Sequence, residues 1–273
     1  TDNNGCSTTE TVTVNALPAA PTTSNIAYCQ DETATALSAT ALTGHTLVWY
    51  DTDATTVLAS APTPTTTTAG NTTYYAAQSN DNTGCEGAQA SITVTVNPTP
   101  TISGTTSVCV DATTTLTGSG TAATTSPWAS SDDDVATVSN LGLVTGVAAG
   151  TVTITYTDNN GCSTTETVTV NALPSFTTDL NGTETLCSGS SLSVVASGTG
   201  TISYQWYESS DNSSWSAITS ETSSSYAPTS SQYYKVVATD GTTNCTTTST
   251  VVDVTMDNID PTITAPAAVS VNV

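Results

Sequence analysis

Cations are almost missing from this sequence: Lys235 is the single lysine, arginine is absent, and 23 acids leave a formal net charge of -22. A groove that neutralises phosphates needs clustered lysine or arginine, so nucleic acid and anionic lipid are excluded as partners. Histidine is as scarce. A Ser-His-Asp arrangement could form only around His45, and histidine-rich zinc sites cannot form, so the composition speaks against an enzyme. No run approaches the roughly 18 apolar residues of a membrane-spanning helix, which argues against direct membrane insertion. The opening TDNNGCSTTE has neither the basic start nor the apolar core of a signal peptide. Helical spacing of apolar residues is missing too, and Glu-to-Lys support along a helix face is not available.

Present instead is alternation. Thr151 to Thr157 reads TVTITYT, Ser91 to Val96 reads SITVTV and Glu166 to Asn171 reads ETVTVN, which puts Val152, Ile154 and Tyr156, or Ile92, Val94 and Val96, on one face. Such segments are half-buried strands. They argue against the disorder that high net charge and 5% aromatic residues would otherwise suggest. The abundant threonines are stiff at χ1 and polar at their tips, so they suit the solvent face of a strand without adding charge. The fold class is all-β, and 273 residues with 17 glycines and 11 prolines imply several small modules separated by turns.

A three-part pattern organises them. Cys29 is followed by Trp49 and Cys85, Cys109 by Trp128 and Cys162, and Cys187 by Trp206 and Cys245; the cysteines of each set lie 56, 53 and 58 residues apart. Proline-bearing joints fall at 17–21, 97–100, 171–175 and 257–261. They divide the chain into the C-terminal part of a truncated module (1–17), modules at 18–98, 99–174 and 175–256, and a linker with the first strand of a following module (257–273). Residues 1–18 recur unchanged at 157–174, so the chain is expected to begin partway through a module, with the partner of Cys6 upstream. Each complete module has the length of a small immunoglobulin-like sandwich with a core tryptophan at Trp49, Trp128 or Trp206.

Cysteines so spaced could be disulfides, metal ligands or a redox pair. No Cys-x-x-Cys pair is present and no basic neighbour would hold a thiolate, which favours disulfides and an oxidising, extracellular setting. Equal spacing around a tryptophan predicts three bridges inside modules: Cys29 with Cys85, Cys109 with Cys162 and Cys187 with Cys245. The second cysteine lies about ten residues beyond Tyr74 and Tyr75, or Tyr233 and Tyr234, so each bridge is expected to tie the first strands to the last hairpin.

The segment WASSDDDVATVSNLGLVTGVAAGTVTITY (128–156) closely resembles the bacterial immunoglobulin-like group 2 domain. Residues 18–98 and 175–256, with VWYD, TYYAAQ, YQWYESSD and YYKVVATD, resemble immunoglobulin-like repeats of very long Bacteroidota surface proteins, and DPTITAPAAVSVNV from Asp260 is similar to the opening of a hyalin repeat. The resemblance implies a semi-rigid rod of tandem β-sandwiches in a giant cell-surface adhesin, exported by the type IX pathway and used for attachment or gliding. Its implied partners are a surface polysaccharide or other external surface, and further modules of the same chain or of neighbouring copies. The same modules also space or bind carbohydrate for secreted polysaccharide-degrading enzymes, which is the alternative reading.

Several residues invite sharper readings. Asp257 and Asp260 flank the last joint and are the candidate calcium ligands; no other cofactor is expected. Asp132, Asp133 and Asp134 could hold calcium or simply be surface charge. Asp81, Asp158 and Asp240 precede the second cysteines and suit hairpin turns. His45 reads as a loop residue. Lys235 occurs once and so cannot form a general isopeptide device, and Trp215 is expected to pack against its hairpin or, alternatively, to stack on a sugar.

Overall fold

Alternation becomes strands because one face of each segment finds an apolar layer to cover it. In the computed structural model, which describes residue 5 and residues 8–259, the regular elements are all β-strands. Ile92, Val94 and Val96 lie inward along Ala90–Asn97, and Val152, Ile154 and Tyr156 along Gly150–Thr157; all six are at most 5% exposed.

The chain divides into two compact units. Of the described residues, the first takes those up to 103 with segments 117–129 and 155–165, and the second takes 104–116, 130–154 and 166–259. Strands of the middle repeat therefore pass through both. Gly150–Thr157 leaves the second unit after Ile154, and Ser163–Asn171 returns to it after Thr165.

In the first unit a five-stranded sheet runs in the order Ile26–Cys29, Ala90–Asn97, Gly70–Asn80, His45–Tyr50, Val57–Leu58, with Thr22–Thr23 and Ala39–Thr40 paired separately. Tyr28, Leu37, Trp49, Ala76, Ile92, Val94 and Val96 form its core. The portion of the middle repeat in this unit packs the Trp128 ring against Tyr156 at 4.7 Å between centroids.

In the second unit the order is Thr183–Cys187, Val252–Asp257, Tyr233–Asp240, Ile202–Ser209, Ser216–Ala217, and Thr246–Thr248 also pairs with Tyr233–Asp240. Trp206 is fully buried among Leu180, Leu192, Val194, Tyr234, Val236, Val252 and Val254, and its indole N–H donates to Ser223 O at 2.8 Å. Burying an indole is favourable only when its N–H finds such an acceptor. The Tyr234 hydroxyl donates to Ser230 O at 2.9 Å, a tyrosine corner that fixes the chain entering Tyr233–Asp240.

One feature recurs in all three repeats and sets the geometry of the cysteines. The strand that carries the first cysteine runs parallel to the last strand of its own repeat, in registers that place Cys29 beside Asn97, Cys109 beside Asn171 and Cys187 beside Asp257. Parallel neighbours need a long crossover, and here the rest of the sandwich supplies it. The first cysteine thus lies where its repeat ends.

Candidate functional site

The cysteines are held by two kinds of turn. After each first cysteine the chain closes a tight turn: Glu32 N–H donates to Cys29 O (3.1 Å), Ala112 N–H to Cys109 O (3.1 Å) and Ser190 N–H to Cys187 O (3.0 Å). The residue two beyond the cysteine is left-handed each time, Asp31 and Asp111 at φ 62° and Gly189 at φ 84°. Aspartate and glycine are residue types that tolerate this conformation.

Each second cysteine ends a hairpin. Its carbonyl accepts from Asn80 N–H (3.0 Å), Asp158 N–H (2.9 Å) or Asp240 N–H (2.9 Å), and the residue just before it is again left-handed: Gly84, Gly161 or Asn244. The side chain opening the hairpin accepts backbone N–H groups, Asn80 from Asn82 and Thr83, Asp158 from Asn160 and Cys162, Asp240 from Thr242 and Thr243. In the first repeat this position is Asn80; Asp81 instead accepts from the Thr46 hydroxyl at 2.8 Å. Asp240 is 1% exposed, and the Gly200 N–H at 2.9 Å, with those of Thr242 and Thr243, pulls its carboxyl down to about 2.

The disulfide pairing differs from the one the spacing predicts. Cys29 is bonded to Cys162 and Cys109 to Cys245, with Cα separations of 5.5 and 5.7 Å. Bridges Cys29–Cys85, Cys109–Cys162 and Cys187–Cys245 are not formed, and Cys85 and Cys187 carry free thiols. Strand length is the reason. Cys29 lies beside Asn97, at the far end of Ala90–Asn97, whereas Cys85 sits in the hairpin before that strand begins. Eight residues at about 3.3 Å each separate the two by more than about 20 Å, against the roughly 7 Å limit for a disulfide. Cys109 beside Asn171 and Cys187 beside Asp257 are set apart from Cys162 and Cys245 in the same way. Each bridge therefore joins the strand end of one repeat to the hairpin of the next.

The other candidates take ordinary places. Trp49, Trp128 and Trp206 are buried, at 7%, 7% and 0% exposure. Trp215 is half-buried, and the Lys235 ammonium lies 4.1 Å from its ring centroid and 5.8 Å from that of Tyr207, so a cation occupies the ring face a sugar would need. His45 is a half-buried strand residue, not a loop residue, with Nδ1 3.1 Å from Thr43 O. Asp132 accepts from Asp134 N–H at 3.0 Å as a turn residue, with Asp133 and Asp134 exposed beside it. Asp257 accepts from Ile259 N–H at 2.9 Å, and Asp260 lies outside the described residues, as do Cys6 and the hyalin-like tail. Among the described residues no three His, Cys, Asp or Glu side chains converge on a metal position, and no helix is long and apolar enough to cross a membrane.

Comparison with known proteins gives the class. The family model of the bacterial Ig-like domain (group 2) matches residues 92–170, that of an Ig-like domain, CHU_C associated, matches 18–98, and that of a domain of unknown function (DUF8696) matches 177–258. No curated protein matches the chain. Solved structures similar to it include Sidekick-1 immunoglobulin domains 1–5, at 15% identity over 88% of this chain and 58% of that one, with a TM-score of 0.29. An E-to-A variant of titin domains I67–I69 is 14% identical over 88% of this chain and 97% of that one, TM-score 0.33. The three N-terminal domains of the bacteriophage RB49 outer capsid protein Hoc are 13% identical over 82% and 93%, TM-score 0.34. This chain spans just over half of the Sidekick-1 fragment. It is a tandem array of immunoglobulin-like β-sandwich repeats.

Proposed function

We propose that the chain is a non-catalytic segment of a long secreted cell-surface adhesin, which spaces and presents binding surfaces for attachment or gliding. One observation carries this reading: disulfides link successive repeats, so the covalent path between repeats does not depend on a single peptide linker. A protein that bears load between a cell and a surface gains from such a second path, and the bonds persist only in an oxidising compartment. A charge of -22 with one lysine keeps such a protein soluble and self-repelling and offers trypsin one cleavage site. The surface it meets is uncharged or weakly charged, polysaccharide foremost. Export by the type IX pathway and anchoring at the cell surface belong to the same proposal.

The reading of the modules as sugar-binding appendages of a hydrolase draws less support, because Lys235 covers the face of Trp215. Antibody labelling of intact producing cells tests the proposal, together with adhesion to polysaccharide-coated glass after deletion of the gene. Surface labelling and loss of adhesion are expected; label found only after cell lysis, or unchanged adhesion, overturns it.

A further inference from the structure

Cys85 and Cys187 are the two thiols left over when the bridges of the described chain have formed. Neither is an irregular residue. Cys187 stands beside Asp257 as Cys29 stands beside Asn97 and Cys109 beside Asn171, and the same tight turn with a left-handed residue follows all three. Cys85 ends the same hairpin as Cys162 and Cys245, with Gly84 in the left-handed position held elsewhere by Gly161 and Asn244. In both places where a strand-end cysteine meets a neighbouring repeat it is bonded, each time to the hairpin cysteine of the repeat that follows. Two independent bridges thus show what ligand this position takes.

We propose that Cys187 is the half-cystine that staples the third repeat to the hairpin cysteine of an immunoglobulin-like repeat C-terminal to it, and that Cys85 takes the strand-end cysteine of a repeat N-terminal to the first. The staple is then a rule of the array: the first cysteine of every repeat binds the second cysteine of the next, and none closes on itself. Exposure agrees with the assignment, since Cys187 is exposed and Cys85 half-buried, whereas the bridged hairpin cysteines Cys162 and Cys245 are each 1% exposed.

Formation of the bond requires an oxidant, here a low-molecular-weight disulfide such as oxidised glutathione. The Cys187 thiolate attacks one sulfur of the oxidant, forming a mixed disulfide and releasing one small thiol. The hairpin thiolate of the next repeat then attacks the Cys187 sulfur, releasing the second. Two protein thiols are oxidised, two small thiols are produced, and the two protons leave with them. The proline-bearing joint at 257–261, as short in sequence as those at 97–100 and 171–175, holds the reacting pair at high effective concentration, which favours the tethered neighbour over a second copy.

This inference rests on the extracellular reading above, because a reducing compartment would leave every cysteine as a thiol. The test is non-reducing peptide mapping of the mature secreted protein after its thiols are blocked with iodoacetamide, with Cys29–Cys162 and Cys109–Cys245 as internal controls. The expected result is Cys187 unalkylated and linked to a hairpin cysteine of the next repeat. A Cys187→Ser variant is expected to release one alkylatable thiol, in that next repeat, and none at Cys29, Cys109, Cys162 or Cys245. Alkylated Cys187 with both control bridges intact overturns this inference alone. A Cys187–Cys245 bond with Cys109 alkylated overturns the stapling rule. Alkylation of all the cysteines overturns the extracellular reading and this inference together.

Discussion

Replacing Cys162 by serine separates the observed pairing from the one that spacing suggests. Cys162 is 1% exposed and serine is nearly its size, so packing at the hairpin changes little and the lost bond dominates. The Cys29–Cys162 bridge closes 133 residues, for which the chain-entropy relation gives about 5 kcal/mol of stabilisation. That figure is a ceiling, because the loop of Cys109–Cys245 overlaps it and already restricts the unfolded chain. If one unit unfolds in a single step, the melting temperature is expected to fall by roughly 10 °C or more. A Cys109–Cys162 bridge would close a loop of 53 residues and give about 4 kcal/mol by the same formula. The two pairings differ by only about 1 kcal/mol, so melting cannot distinguish them and thiol identity must. In Cys162→Ser, iodoacetamide is expected to label Cys29 in the native protein and to leave Cys109 and Cys245 unlabelled. Label at Cys109 with Cys29 still protected would refute the strand-length argument.

Three further outcomes follow from the structure. Residues 10–14 and 166–170 are both ETVTV, but Val12 and Val14 are 83% and 90% exposed while Val168 and Val170 are buried. In a polypeptide of residues 1–273 alone, a peptide common to both copies is therefore expected to give a two-population isotope envelope in hydrogen exchange, and a single envelope would count against the difference. Gly118→Ala would drive a Cβ into the Tyr156 ring, so it is expected to cost about 1–3 kcal/mol and to disturb the near-ultraviolet signal of Trp128; an unchanged unfolding midpoint would show that the ring has room to move. The Asp240 carboxyl sits at about 2 when folded against an ordinary value of 3.8, so its stabilisation is fully present above the higher value and is lost as pH falls towards the lower. Asp240→Asn sets an amide NH2 against the Gly200 N–H. It is expected to destabilise the third repeat at neutral pH and to flatten this acid limb in urea titrations; a limb as steep as that of the parent would assign it to other carboxylates.

The repeated segment shows how far sequence reads into this fold. TDNNGCSTTETVTVNALP predicts a strand wherever it occurs, since alternation is a property of the residues alone. At Ser163–Asn171 the prediction holds, because Cys109 and its neighbours pair along one edge and an apolar layer covers Val168 and Val170. At 8–17 the structure has no strand and the same valines face solvent. A strand needs a partner for its backbone and a cover for its face, and neither is written into the segment itself. The hairpin turns at Asp158 and Asp240 were legible for the opposite reason, since local chemistry suffices there; the turns after Cys29, Cys109 and Cys187 drew no expectation, although Asp31, Asp111 and Gly189 are of residue types that tolerate left-handed backbone.

Cysteine pairing lies between these cases. Constant spacing within each Cys-Trp-Cys set correctly signals a repeated structural duty, but spacing along a chain carries no information on which end of a sandwich each residue occupies. That information resides in strand direction. The first cysteine's strand is parallel to the last strand, so it points to the end from which the chain leaves; the hairpin before the last strand lies at the other end. A repeat built this way cannot close its own bridge at any loop length near 53 to 58 residues, because the intervening strand is rigid and too long. What the constant spacing repeats is therefore the distance between two junctions, one at each end of a sandwich.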